Sequence, residues 1–60
     1  MSDDATTLLI RALAMENEAI NIGLALQAAL PAESDSLREI IADEVDHSDN
    51  YIAMLIKAAL

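Results

Sequence analysis

Residues 30–39 read LPAESDSLRE and contain the one strong break in a chain otherwise dominated by helix-forming residues. Pro31 lacks a backbone N–H and biases the preceding residue away from helical geometry. It therefore predicts that a first helix, at about residues 4–30, ends directly before Pro31. Three polar residues at the start of the chain are suited to cap this helix: Ser2, Asp3 and Asp4.

A second helix is predicted on the other side of this break. Residues 31–35 are mostly polar or turn-forming and are expected to make the connecting turn. Ser36 and Glu39 stand three residues apart and match a capping box, in which two side chains satisfy N–H groups at the start of a helix. The second helix is therefore expected at about residues 36–60.

Both predicted helices carry an apolar stripe at three- and four-residue spacing. In the first helix the stripe consists of Leu9, Leu13, Glu16, Ile20, Gly23 and Leu30. In the second it consists of Leu37, Ile40 or Ile41, Glu44, His47 or Ser48, Tyr51, Leu55 and Ala58. Two helices of similar length with a short connector are expected to form an antiparallel hairpin, which cannot cover its own stripes. We therefore expect an all-α fold: residues 1–60 form a single antiparallel hairpin, and two copies pair into a four-helix bundle.

The composition limits the classes of function. The chain is 55% hydrophobic with a net charge of −8, which is too apolar for a disordered acidic tail and offers no basic surface for nucleic acid. It has no cysteine, which excludes disulfides and thiolate metal sites. The first residues lack the pattern of a secretory signal, and no apolar run is long enough to span a bilayer. We expect no membrane partner and a cytoplasmic location, free or inside a cytoplasmic protein compartment.

Two carboxylates interrupt the apolar stripes where the pattern calls for leucine or isoleucine. They belong to Glu16 and Glu44, and His47 follows Glu44 on the same side of its helix. An unpaired buried carboxylate is unfavourable, and a divalent metal removes that penalty. Glu and His suit iron, manganese or zinc, and a two-fold dimer would gather four Glu and two His at its centre. That set matches the di-iron carboxylate pattern of four-helix bundles.

The residues around these positions also resemble a known family. The segment EVDHSDNYI, residues 44–52, is similar to the second helix of the bacterioferritin branch of the ferritin-like di-iron family, where Glu-x-x-His is followed by Ala/Ser-Asp-x-Tyr-Ile. The segment ENEAINIG, residues 16–23, is similar to the first helix of that branch, where the ligand Glu is followed by Ala-Ile-Asn. The resemblance covers half of a standard member, and small encapsulated ferritins are similar in building one di-iron centre between two-helix chains.

The resemblance implies a role for each ligand. Glu16 would be a terminal metal ligand, Glu44 a carboxylate bridging two metals, and His47 a terminal nitrogen ligand. Haem-bearing bacterioferritins have Met directly after the bridging Glu; this chain has Val45, so no haem is expected by that route. Gly23 stands where the family often has tyrosine, and it predicts a close helix approach or extra room near the site.

Other residues near the ligands have simpler interpretations. Glu18 is an alternative to Glu16 about 160–200° away around the helix and is expected to be solvated or to cross an interface. Tyr51 is expected to fill core space, with its hydroxyl a candidate to donate a hydrogen bond to a ligand carboxylate. Met15 and Met54 are expected to pack in the core rather than to bind haem.

The leading hypothesis is a ferritin-like di-iron protein with its metals at a dimer interface and with ferroxidase activity, serving iron handling or peroxide defence. Its partners would be a second copy or larger homo-oligomer, Fe²⁺, and O₂ or peroxide. The alternative is a non-catalytic helical dimerisation module, metal-stabilised or metal-free. A third hypothesis is a di-iron enzyme that oxygenates an organic substrate, which would need a pocket beside the metals.

Overall fold

The computed structural model describes residues 4–60 as two long helices joined by a tight turn. Helix α1 spans Ala5–Ala29, a 3-10 helix spans Pro31–Glu33, and helix α2 spans Ser34–Ala59. The described residues contain no strand, and the two helices pack against each other. The all-α prediction is therefore confirmed, while pairing into a four-helix bundle stays a prediction.

Helix α1 begins at a side-chain cap. Asp4 has extended backbone geometry, and the backbone N–H of Thr7 donates to its Oδ1 over 2.8 Å. This bond satisfies one of the N–H groups that every helix leaves unpaired in its first turn. The predicted cap at Asp4 is confirmed, whereas Ser2 and Asp3 lie outside the described residues.

This cap makes the first turn of α1 sensitive to pH. The hydrogen bond from the Thr7 backbone is the largest of the effects that hold the pKa of Asp4 below its usual value. Because the folded pKa is lower than the unfolded one, the cap stabilises the helix above the ordinary pKa of aspartate, and this stabilisation is lost as the pH falls through the folded value. Asp4→Ala should therefore lower helix content at neutral pH, and its difference from the wild type should shrink on acidification. Far-ultraviolet circular dichroism of both chains checks this, and a difference independent of pH would contradict it.

The start of α2 differs from the predicted one. Leu30 leaves helical geometry directly before Pro31, as the proline predicted. Pro31 then opens the 3-10 helix, whose last bond runs from the Ser34 N–H to the Pro31 carbonyl and leads straight into α2. The predicted capping box at Ser36 and Glu39 is therefore wrong, because α2 has already begun at Ser34 and both residues lie inside it.

The two helices run antiparallel and contact each other away from the turn as well as near it. Near the turn, the Gln27 side-chain amide donates to the Ser34 carbonyl over 3.3 Å. Further from it, Gly23 lies against Ile41, so closely that a Cβ built on Gly23 would stand 2.8 Å from Ile41 Cγ1. With increasing distance from the turn, the contacting residues lie earlier in α1 and later in α2, as expected for an antiparallel hairpin. The close helix approach predicted at Gly23 is confirmed.

The structure decides between the positions that the spacing of α2 left open. Ile41 is half-buried whereas Ile40 is 52% exposed, and Ser48 is buried whereas His47 is exposed. The stripe that faces α1 therefore passes through Ile41 and Ser48. Two predicted stripe residues near the helix ends are exposed: Leu30 and Ala58.

The hairpin is a single layer without a core of its own. Its dimensions are 45 × 21 × 11 Å, and the smallest is about the diameter of one helix. Among the described residues only Gly23 and Ser48 are buried, and no apolar side chain is. Large apolar side chains are exposed instead: Leu8, Ile10, Met15, Ile22, Leu24, Leu26, Leu30, Ile40, Val45, Ile52, Met54, Ile56 and Leu60. Such extensive apolar exposure is typical of an interaction surface.

Candidate metal centre

Glu16, Glu44 and His47 lie together near the middle of the hairpin. Glu16 is on α1, while Glu44 and His47 are one turn apart on the same side of α2. Their meeting follows from the register of the hairpin. Because Gly23 lies against Ile41, Glu16, two turns before Gly23, lies level with His47, about two turns after Ile41.

The distances within this group suit a shared cation. His47 Nδ1 lies 3.5 Å from Glu16 Oε1 and 4.0 Å from Glu44 Oε2. One ligand atom from each of the three residues lies within 4.8 Å of the other two. Two atoms bound to one ion at about 2.1 Å can be at most about 4.2 Å apart. Three atoms spread evenly around one ion at that distance lie about 3.6 Å apart, so a contraction of about 1.2 Å or less would bring all three to one ion.

The two carboxylates are more shielded from solvent than the imidazole. Side-chain exposure is 18% for Glu16, 24% for Glu44 and 55% for His47. The Glu16 Oε2 atom is buried and has no hydrogen-bond partner among the described residues. A shielded carboxylate without a charged partner is unfavourable, and a cation bound at Glu16 Oε1, the oxygen that faces His47, would balance its charge. The shielding and the chemistry of the donors therefore fit a divalent metal.

His47 is exposed, so Ser48 is the one of the two alternative stripe residues that faces α1. The stripe of α2 that faces α1 runs through Glu44 and Ser48, which leaves His47 at its edge. The imidazole therefore borders the ligand group on one side and an open surface of the hairpin on the other. The spacing left these two positions open because it does not distinguish the surface toward α1 from the surface toward another molecule.

The open surface beside His47 is otherwise apolar. On each helix the residues of this surface recur every seven positions, which is about two turns, and form a row along the helix. Because both helices are right-handed and run antiparallel, the row on α1 and the row on α2 lie on the same face of the hairpin. We name this surface the histidine face and define it by Leu8, Met15, Ile22, Ile40, His47 and Met54. Each of its five apolar residues is at least 50% exposed. The candidate ligands thus open onto a surface that water solvates poorly.

The remaining residues singled out in the sequence are placed as follows. Glu18 is exposed, so Glu16 is the carboxylate that faces α2. Tyr51 is half-buried one turn after His47. Met15 and Met54 are exposed in the single chain, so their place in a core stays a prediction that depends on pairing of two copies.

Ser48 is the residue near the site that the sequence left undecided. It is 6% exposed, and its Oγ atom is buried without a hydrogen-bond partner among the described residues. The spacing offered Ser48 only as an alternative to His47 in the stripe. The only indication in the sequence was a small polar residue at a stripe position, and this does not identify the hydrogen-bond partner of its hydroxyl.

The sequence matches no known protein-family model and no curated protein, and the fold matches no solved structure. The function of this chain is therefore inferred from the three candidate ligand residues and the surface around them. In the part of the chain that the structure describes, neither helix combines the length and apolar character needed to cross a membrane.

Proposed function

We propose that this chain is a ferritin-like di-iron carboxylate protein whose metal centre is shared between two copies and supports ferroxidase activity. The observation that carries the proposal is the convergence of Glu16, Glu44 and His47 from two helices within 4.8 Å of one another. The same three residues carry the resemblance to the bacterioferritin branch. Geometry and resemblance therefore support the same ligands.

The histidine face supports a second copy as the partner of this site. One chain offers two carboxylates and one imidazole, and a copy related by a two-fold axis through the histidine face would double this set. Four Glu and two His are the ligands of the di-iron four-helix bundles, with a Glu from two helices and Glu-x-x-His from the other two. A two-fold contact is also the commonest way in which one surface pairs with itself.

The area exposed by one chain also favours a partner. A folded monomer of 6.4 kDa is expected to expose about 3,800 Å². The hairpin exposes 4589 Å², which is roughly 800 Å² more. Each partner in a standard protein interface buries about 800 Å². The excess therefore corresponds to one interface of ordinary size.

The residues of this site suit Fe²⁺ oxidation. Iron in a carboxylate and imidazole site supplies one-electron chemistry toward O₂ or peroxide. With O₂ as oxidant, two Fe²⁺ substrate ions give up the two electrons that, with two protons, convert O₂ into hydrogen peroxide. Glu16 and Glu44 would hold the cations and balance their charge, and His47 would add a neutral nitrogen donor. Val45 follows Glu44 directly, so the haem route of the family is not part of the proposal.

A substitution in the histidine face tests the shared site. Met15→Lys places a charge on this face, whereas Ile10→Lys places the same charge at a residue of similar size, 54% exposed, on the other side of α1. We expect the wild type and Ile10→Lys to form dimers carrying two metal ions under anaerobic Fe²⁺, and Met15→Lys to be largely monomeric and metal-free. Native mass spectrometry measures mass and metal content together. A wild-type monomer that retains iron, or iron-loaded Met15→Lys dimers, would contradict the shared site.

A further inference from the structure

Two buried polar atoms lie unsatisfied between the helices, and their chemistry is complementary. They are Glu16 Oε2, an acceptor, and Ser48 Oγ, which carries a hydrogen that it can donate. They are the buried side-chain polar atoms without a hydrogen-bond partner in the described part of the chain. A native structure rarely leaves such groups unpaired, so each calls for a partner.

The register of the hairpin places these two residues opposite each other. Ser48 lies seven residues after Ile41, and Glu16 lies seven residues before Gly23. The pair Glu16–Ser48 is therefore two helical turns from the Gly23–Ile41 contact and in the same register. Both side chains belong to the stripes that face each other, since Ser48 is 6% exposed and Glu16 is shielded.

The obvious alternative for a serine inside a helix does not account for Ser48. Helical serines commonly donate to the carbonyl four residues earlier, which here belongs to Glu44. The Ser48 hydroxyl makes no such bond. On the Glu16 side, the other carboxylate oxygen, Oε1, already faces His47 at 3.5 Å, which leaves Oε2 as the oxygen available to a second donor.

We propose that Ser48 is a positioning residue whose hydroxyl donates to Glu16 Oε2 and fixes the orientation in which Glu16 binds metal. This role deepens the proposed metal site and rests on it. Outer hydrogen bonds of this kind hold ligand side chains in place, and their loss typically weakens metal binding about 10- to 100-fold.

Cobalt binding to the full chain tests the positioning role. Ser48→Ala is expected to weaken Co²⁺ binding about 10-fold or more and to change the visible absorption bands, which report the arrangement of the ligands. The matched control Ser36→Ala, an exposed serine on the same helix, should leave affinity and spectrum unchanged. In a Glu16→Ala background, Ser48→Ala should cause no further change. Wild-type affinity and spectrum for Ser48→Ala, or the same loss with and without Glu16, would overturn the proposal.

A second measurement on the metal-free protein separates this proposal from the metal site itself. Ser48→Ala, Glu16→Ala and the double variant complete a double-mutant cycle with the wild type. At one chain concentration, the unfolding equilibrium constant of the double variant should differ about five-fold from the value expected if the two effects were independent. If Ser48 serves only close packing, the two effects are independent and removing the hydroxyl is neutral or stabilising. A wild type that binds no Co²⁺ would overturn the proposed function, while this cycle would still test the bond between Ser48 and Glu16.

Discussion

Replacing Glu44 and His47 together with alanine is expected to abolish saturable binding of Fe²⁺ and Co²⁺. Of the three candidate ligands in each chain, the substitutions leave only the Glu16 carboxylate and remove the imidazole. Loss of an outer hydrogen bond weakens metal sites about 10- to 100-fold, so loss of two direct ligands should exceed about 100-fold. Calorimetric titration under anaerobic conditions measures the change.

The matched control for this variant is Glu18→Ala, which removes an exposed carboxylate two residues from Glu16. It should bind metal as the wild type does. Circular dichroism should show both variants to be helical. If the Glu44 and His47 double variant binds metal like Glu18→Ala, the site is not a metal centre. If it is also more stable than the wild type, the chain is a helical dimerisation module without a metal at this site, because replacing the shielded Glu44 carboxylate by an apolar group is then favourable.

Substitution of Gly23 with leucine is expected to destabilise the hairpin strongly. A Cβ at this position would stand 2.8 Å from Ile41 Cγ1 and 3.3 Å from its Cδ1. The branched Ile41 side chain is restricted at χ1 in a helix, so it cannot simply turn away. Overpacking of this kind typically costs 1–3 kcal/mol, and the gain in helix propensity offsets about 1 kcal/mol. Because a bulky leucine extends well beyond Cβ, we expect a net loss of about 2 kcal/mol, or roughly 10 °C in the unfolding midpoint.

Two further variants identify the cause of that loss. Ala25→Leu adds the same side chain at an exposed position of α1 and should change stability little. Ile41→Ala should recover part of the loss when combined with Gly23→Leu, since it removes the atoms that a Cβ would meet. Thermal melts at one chain concentration measure all of these. Equal midpoints for Gly23→Leu and Ala25→Leu would show that the close approach does not stabilise the fold.

Much of the hairpin could be predicted because its signals are local. Pro31 ends α1 through its own covalent structure, and the Asp4 cap depends on a hydrogen bond to a residue three positions away. The start of α2 depends on the backbone path of the 3-10 helix, so the Ser36 capping-box pattern was a false signal. A local pattern of side chains cannot show that the helix has already begun.

The candidate site was only partly predictable, because it depends on how the two helices face each other. The choice of Glu16 over Glu18 agrees with the structure, since the two differ by about half a turn and only one can face α2. Positions 47 and 48 are adjacent, and which of them turns toward α1 depends on the packing of Gly23 against Ile41. The exposure of His47 depends further on whether another chain covers the histidine face.

The most direct test of the shared metal centre is an anaerobic Fe²⁺ titration of the wild type, followed by admission of O₂. Near-ultraviolet absorbance records the formation of ferric protein. Two metals between two chains predict saturation near about one iron per chain, followed by oxidation much faster than that of free Fe²⁺ in the same buffer. Absence of saturable binding, or saturation without accelerated oxidation, would contradict the proposed ferroxidase. The first result would leave an acidic helical module, and the second a metal-stabilised one.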